Sequence, residues 1–221
     1  MMRLFLWFRD LCLDFLFPKS REVLELEALS AEALLELLPA PQRLITDSST
    51  IALFDYTHPL VKKVIWEVKY AGNRKLSLRV GEIIYDVIVE ELNERNVLSK
   101  WHTVILMPMP ISDRRRFERG WNQAELLTEA IKSCDKSHIL KHVPRQLAKI
   151  THTESQTKTA NRNERINNLA GSMRVMNPEI ARDKYVVLVD DVLTTGSTFA
   201  EAKRALKDAG VKKILCVAIA H

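Results

Sequence analysis

From Ile51 onward the chain alternates two patterns: short continuous apolar runs, and longer stretches in which apolar residues return every third or fourth position. Runs of the first kind are Ile51 to Tyr56, Thr103 to Met107, Val186 to Val189 and Ile214 to Ile219. Each reads as a strand buried on both faces. The longer stretches read as amphipathic helices. One opens at Pro59, carries Leu60, Val64, Ile65 and Val68 on one side and closes near Gly72. A longer one carries Leu78, Ile83, Ile84, Val87 and Leu92, another runs through Ala124, Leu127 and Ile131, and the last covers Thr198 to Ala209, ending at Gly210. Between Met107 and Ala124, Pro108, Pro110 and the arginines 114 to 116 read as a turn. Such alternation predicts an α/β fold, a central parallel sheet of right-handed crossovers flanked by helices.

The chain ahead of this block has a different pattern. Residues 1–18 are rich in Leu, Phe and Trp, but Arg9, Asp10 and Asp14 interrupt the run. It falls short of the roughly 7 to 15 apolar residues of a signal core and the roughly 20 of a membrane span. No membrane span is therefore expected, and an amphipathic helix ended by Pro18 fits. Its polar face lacks the Lys and Arg excess of a membrane anchor, which favours packing on the domain or on the partner subunit of a homodimer. A second short helix starts with Ser30 as its cap and stops at Pro39, and residues 39–49 read as a linker. The expected organisation is a helical segment and linker over residues 1–45, then one domain over 46–221.

Composition narrows the class without choosing a function. Of 221 residues, 47% are hydrophobic and 28% charged, the balance of a soluble globular protein, and the formal net charge is +5. That surplus favours polyanionic partners, whether phosphate-rich metabolites or nucleic acid. Cys12, Cys134 and Cys216 lie far apart and form no CxxC pair, so neither a disulfide framework nor a zinc ribbon can be read from them, and a reducing cytoplasm is the expected location. His138 and His142 are the close histidine pair, with no thiolate nearby, so no zinc is expected.

The chemistry concentrates where the apolar run Val186 to Val189 enters Asp190 and Asp191, then Thr194, Thr195, Gly196, Ser197 and Thr198 at the start of a helix. In an open parallel sheet, ligands bind beyond the carboxyl ends of the strands. Adjacent carboxylates there can accept hydrogen bonds from the 2- and 3-hydroxyls of a ribose or lie near a divalent cation. Four hydroxyls, a glycine that permits a tight turn and the amide-rich positive end of a helix suit a phosphate dianion. Read alone, Asp191 and Ser197 serve equally well as local caps, with Asp190 solvated at the strand end. A Walker B strand also needs a phosphate loop ending in Gly-Lys, and none of the six glycines is followed by Lys.

The segment 186–199, VVLVDDVLTTGSTF, resembles the phosphoribosyl pyrophosphate signature of type I phosphoribosyltransferases. Three further segments resemble the ComF family, the branch of that superfamily linked to competence for DNA uptake. They are Lys69 to Gly72, then Met107 to Pro110 leading into Arg119 to Ala124, then Gln156 through Arg162, Arg165, Asn168 and Gly171. The resemblance spans residues 51–221 and implies a type I phosphoribosyltransferase-like fold with a flexible hood loop. It implies that Asp190 and Asp191 hold the ribose hydroxyls and magnesium, and that Thr194, Thr195, Gly196, Ser197 and Thr198 cradle the 5-phosphate. Arg119, Gly120, Asn122 and Gln123 fall on a pyrophosphate-side loop, although Asn122 and Gln123 equally suit a helix cap, and Arg114 to Arg116 a solvated basic face.

The stretch from Thr151 to Leu169 is dense in Thr, Asn and Arg, the composition of a surface loop. By resemblance it is the hood, with Gln156, Arg162 and Arg165 reaching bound pyrophosphate; by composition alone those arginines serve equally as loop surface. Lys69 is open to a phosphate contact or to a structural place near the negative end of its helix. Members of this family commonly begin with a four-cysteine zinc module. Here Leu16 to Lys19 resembles its lead-in, but Ser20 stands where a cysteine is expected. The activity implied is transfer of a phosphoribosyl group from phosphoribosyl pyrophosphate, with magnesium, to a nitrogen nucleophile. The alternative is a non-catalytic sensor or scaffold in DNA uptake or recombination, with single-stranded DNA or DNA-uptake proteins as partners.

Overall fold

Five parallel strands and one antiparallel edge strand form the central sheet of the protein, here a computed structural model that describes residues 19–39, 44–47, 49–101, 103–150 and 171–221. The amphipathic segment ending at Pro18 and the loop Thr151 to Leu169, with Gln156, Arg162 and Arg165, lie outside these residues. In chain order the strands are β1 (Leu44–Asp47), β2 (Thr50–Phe54), β3 (Val104–Pro108), β4 (Leu140–His142), β5 (Leu147–Lys149), β6 (Met173–Val175), β7 (Tyr185–Val192) and β8 (Lys213–Ala220). The helices are α1 (Arg21–Ala28), α2 (Ala31–Leu37), α3 (Pro59–Trp66), α4 (Arg74–Glu94), α5 (Asp113–Arg119), α6 (Gln123–Cys134) and α7 (Ser197–Asp208).

The main sheet runs β1-β2-β8-β7-β3-β4, and β5 pairs antiparallel with β6 in a separate hairpin. Its strands are apolar throughout because both faces are covered, and alternate residues feed two cores. Ile51, Leu53, Leu106, Val187, Val189, Leu215 and Val217 face one core with the apolar sides of α2, α3 and α4. Ala52, Ile105, Met107, Leu188, Cys216 and Ala218 face the other, against α7 and the β5–β6 hairpin. Within the first core α4 buries Leu76, Val80, Ile84, Ile88 and Leu92, each worth about 1.5–3 kcal/mol of transfer free energy.

Several segments differ from the sequence expectation for definable reasons. The linker expected over residues 39–49 contains β1, which hydrogen-bonds antiparallel to β2 at the sheet edge; four residues are too few for a period to be visible. Strands β4, β5 and β6 are three residues each and escape for the same reason. The arginine-rich turn is a helix, α5, capped by Ser112 and ended by Gly120. Helix α1 was hidden in an acidic stretch; Ser20, the residue standing at the expected cysteine, caps it by accepting from Val23 N–H at 3.4 Å. Both α1 and α2 pack through Leu26, Leu34 and Leu38 into the core of the main sheet. Among the described residues no helix is long and apolar enough to cross a membrane.

Candidate functional site

Strand β7 lies between β8 and β3, and its carboxyl end delivers Asp190 and Asp191 into a nearly closed environment. Small neighbours make room: Asp190 sits beside Ala218 and Val192 beside Ala220 on β8. Each acid accepts a hydrogen bond from the following amide, Asp191 N–H to Asp190 Oδ1 at 2.9 Å and Val192 N–H to Asp191 Oδ1 at 3.0 Å. Burial, with the Asp191 charge next, holds the Asp190 carboxyl well above the usual aspartate range; the Asp191 amide and Lys69 oppose that shift without cancelling it. The pair is therefore poised to bind a cation or hydroxyl donors.

One cation is already present. Lys69 Nζ stands 2.8 Å from Asp191 Oδ2, with the lysine side chain 24% and the aspartate side chain 5% exposed. The contact is an ion pair by distance, and Asp191 Oδ2 accepts no hydrogen bond of good angle, so this oxygen retains capacity for a ligand. Local backbone geometry explains how Lys69 arrives there. Helix α3 widens into a π-turn over Glu67–Ala71, and Gly72, left-handed at φ 61°, closes it by donating its N–H to Glu67 O. A β-carbon on Gly72 would lie 2.9 Å from Trp121 Cε2, so the indole fixes the glycine from the far side. Asn73 then caps α4 and donates to Glu27 Oε1 at 2.8 Å and Glu67 Oε2 at 3.1 Å, which ties α1 to the π-turn.

The loop between β3 and α6 meets the same region. Arg119 places its guanidinium 5.0 Å from the centroid of the Tyr70 ring and donates to Gln123 Oε1 at 3.2 Å. Gly120 turns the chain at φ 84°, and Asn122 donates to Met109 O while accepting from Ala124 N–H, so its polar groups are used in holding the loop and capping α6. Gln123 is buried. Arg114 pairs with Glu118, and Arg116 makes a two-pronged contact with Glu125.

After β7, Leu193 is pinned by donating its N–H to Ala220 O at 2.8 Å, and Gly196 opens α7 in the left-handed conformation at φ 75°. Its N-cap, a glycine, supplies no capping side chain; Thr195 Oγ1 accepts from the Ser197 N–H at 3.4 Å, and this end of the helix carries the positive end of the dipole. Thr195 Oγ1 and Ser197 Oγ lie 2.8 Å apart, Thr194 is exposed, and Gly196 and Thr198 are half-buried. The β5–β6 pair is anchored to the same helix: Met173 N–H donates to Glu201 Oε1 and Arg204 Nη2 donates to Met173 O.

The structure thus brings together the acid pair, the segment Thr194 to Thr198 and the loop bearing Arg119. It adds Lys69, which the sequence left between a phosphate contact and a structural place, and Tyr70, which the sequence did not single out. The tetrapeptide Lys69 to Gly72 was itself the signal: a cation and an aromatic ring ahead of a glycine that ends a helix. Among the described residues no three His, Cys, Asp or Glu side chains gather as a ready metal site.

Residues 137–221 match the family model of the phosphoribosyl transferase domain. Competence protein F of Haemophilus influenzae is 33% identical over 109 residues, which cover 49% of this chain and 46% of that protein. Competence protein ComFC of Bacillus subtilis is 30% identical over 106 residues, 48% of this chain and 39% of that protein. The chain therefore spans about half or less of the length of these competence proteins. DNA utilization protein YhgH of Escherichia coli is 26% identical over 170 residues, 76% of this chain and 67% of that protein.

Proposed function

From the match of residues 137–221 to the phosphoribosyl transferase domain and the similarity to competence proteins F and ComFC, we propose that the chain binds phosphoribosyl pyrophosphate with magnesium and transfers the phosphoribosyl group to a nitrogen nucleophile. The observation that carries this reading is the buried pair Asp190 and Asp191 at the end of β7, followed a few residues later by the start of α7, whose N-cap Gly196 has no side chain of its own to cap it. Those two features match the two ends of a ribose 5-phosphate: hydroxyls toward the acids, phosphate toward Gly196, Ser197 and Thr198.

In the reaction, the nitrogen lone pair forms a bond to C1 of the ribose as the C1–O bond to pyrophosphate breaks. Pyrophosphate leaves with the electron pair, and the nitrogen's proton passes to solvent. Charge separates in the transition state, so catalysis is chiefly electrostatic. Asp190 and Asp191 orient the sugar and supply the hard oxygen donors that magnesium takes. Magnesium, when bound, neutralises charge developing on pyrophosphate. Lys69 and Arg119 add positive field at the sugar's anomeric side, and the family resemblance assigns Arg162 and Arg165 to the departing pyrophosphate.

A second reading, a sensor or scaffold touching single-stranded DNA, is favoured by a different observation. Trp66 and Tyr70 are 55% and 50% exposed with ring centroids 5.8 Å apart, and Arg119 lies over Tyr70. Phe117, at 93% exposed, projects from the arginine-rich helix α5. Aromatic rings interleaved with cations suit stacked bases and a phosphate backbone.

Titration calorimetry with phosphoribosyl pyrophosphate and magnesium tests the site, and a pyrophosphate-release assay across nucleobases and amines tests turnover. Asp190→Asn combined with Asp191→Asn should weaken binding by about a hundredfold or more with the fold intact, since each charge-assisted hydrogen bond contributes about 1.5–3 kcal/mol. Unchanged affinity in that variant would refute the assignment. Retained ligand binding with no turnover, together with salt-dependent DNA binding lost in Trp66→Ala and Tyr70→Ala, selects the second reading.

A further inference from the structure

A cleft of about 320 Å³ opens beyond the carboxyl end of β3, outside the acid pair and the phosphate loop. Its floor is apolar, formed by Pro108, Pro110, Ile111 and Leu147. Pro108 pairs with Val189, one residue before Asp190, so the cleft adjoins the proposed ribose site across one strand spacing. The size is that of a small organic ligand.

Most of the polar groups around the cleft are already engaged or face solvent. Asn122 is used by Met109 O and Ala124 N–H. Arg116 is held by Glu125, and Arg145, at 3.9 Å, faces the same carboxylate. Asp113 is exposed on the rim. Lys149, the last residue of β5, is half-buried against the cleft and, among the described residues, has no carboxylate within ion-pair distance. Burial and the nearby Arg115 charge both hold its ammonium below the ordinary lysine value, the condition of a cation that lacks a counter-ion. An anion in the cleft would relieve both effects.

We propose that this cleft seats the acceptor of the transfer reaction, and that the acceptor is a small, largely apolar molecule carrying a carboxylate that pairs with Lys149. The inference rests on the phosphoribosyl-transfer reading above. An uncharged acceptor of the same shape fills the apolar floor but leaves Lys149 without a counter-ion, so the site discriminates on charge.

Matched acid and amide probes test this without relying on turnover. Dissociation constants for nicotinate against nicotinamide, and for benzoate against benzamide, are measured by ligand-observed NMR on the full chain, with phosphoribosyl pyrophosphate and magnesium titrated in parallel. The wild type should prefer each acid by about tenfold or more. Lys149→Met should erase that preference, Lys149→Arg should keep most of it, and both variants should bind phosphoribosyl pyrophosphate as the wild type does. Equal affinity for acid and amide, no binding of either acid at millimolar concentration, or an acid preference that survives Lys149→Met each overturns the proposal. Failure of phosphoribosyl pyrophosphate to bind the wild type refutes the underlying function instead; normal binding with no acid preference refutes the acceptor assignment alone.

Discussion

Replacing Lys69 by Met should destabilise the protein in proportion to how badly the acid pair tolerates its own charge. At 2.8 Å and an effective dielectric of about 20, the Lys69–Asp191 attraction is roughly 6 kcal/mol. The ammonium keeps part of its hydration at 24% side-chain exposure and regains the rest on unfolding, which leaves a net loss of about 3 kcal/mol, the low end for breaking a buried pair. For a domain of this length that corresponds to a fall of about 6–12 °C in Tm. The loss should depend on pH. Asp190 already titrates above the ordinary aspartate value, and removing the opposing Lys69 charge raises it further. A carboxyl whose folded pKa exceeds its unfolded value makes the folded state the better proton binder between those values, so stability falls as pH rises through that window. The penalty of Lys69→Met should therefore be smallest near pH 4, close to the unfolded value of about 3.9, and grow toward pH 8. Urea unfolding at pH 4.5, 6 and 8 measures it, and adding Asp191→Asn to Lys69→Met should recover most of the lost stability. A Lys69→Met protein that melts within about 1 °C of wild type at pH 8, or a penalty independent of pH and of Asp191, would refute the electrostatic account.

Gly72→Ala forces a β-carbon toward Trp121 at a positive φ and should cost about 1–3 kcal/mol; thermal unfolding reads this, and an unchanged Tm would mean the indole moves aside freely. Arg162→Ala with Arg165→Ala should slow pyrophosphate release more than it weakens ligand binding if those arginines act on the closed state, and equal effects on both in steady-state kinetics and calorimetry would argue against a hood role.

The parts of the fold legible in the sequence are those where one physical requirement dominates. Strands β2, β3, β7 and β8 announce themselves because burial on both faces demands an unbroken apolar run. Strands of three residues offer no such run, and β4, β5 and β6 take their place from pairing partners far away in the chain. The segment Asp190 to Thr198 was visible because acids, hydroxyls and a glycine are adjacent in sequence as in space. Lys69 was not placed, since its partner lies more than a hundred residues away and its aim depends on a π-turn that no periodicity signals. Asn122 illustrates the opposite case: its capping geometry follows from local sequence, whereas the hydrogen bond to Met109 O emerges only once β3 and α6 are packed. The cleft beside Lys149 is likewise assembled from segments that have no common motif.

The π-turn at Glu67–Ala71 makes the reach of Lys69 a matter of counting. Each residue advances a helix by about 100°, so removing one residue between Trp66 and Lys69 would let α3 continue as a regular helix while swinging Lys69 about a quarter of a turn away from Asp191. Val61, Val64 and Ile65 precede the insertion and would keep their places in the core. A chain of this architecture can therefore lose or acquire the cation opposite its acid pair through a single codon-length deletion or insertion, with the lysine itself still present. Comparing such chains by residue identity alone would score the lysine as retained; comparing the spacing from Pro59 to Gly72 would reveal that its charge had been redirected.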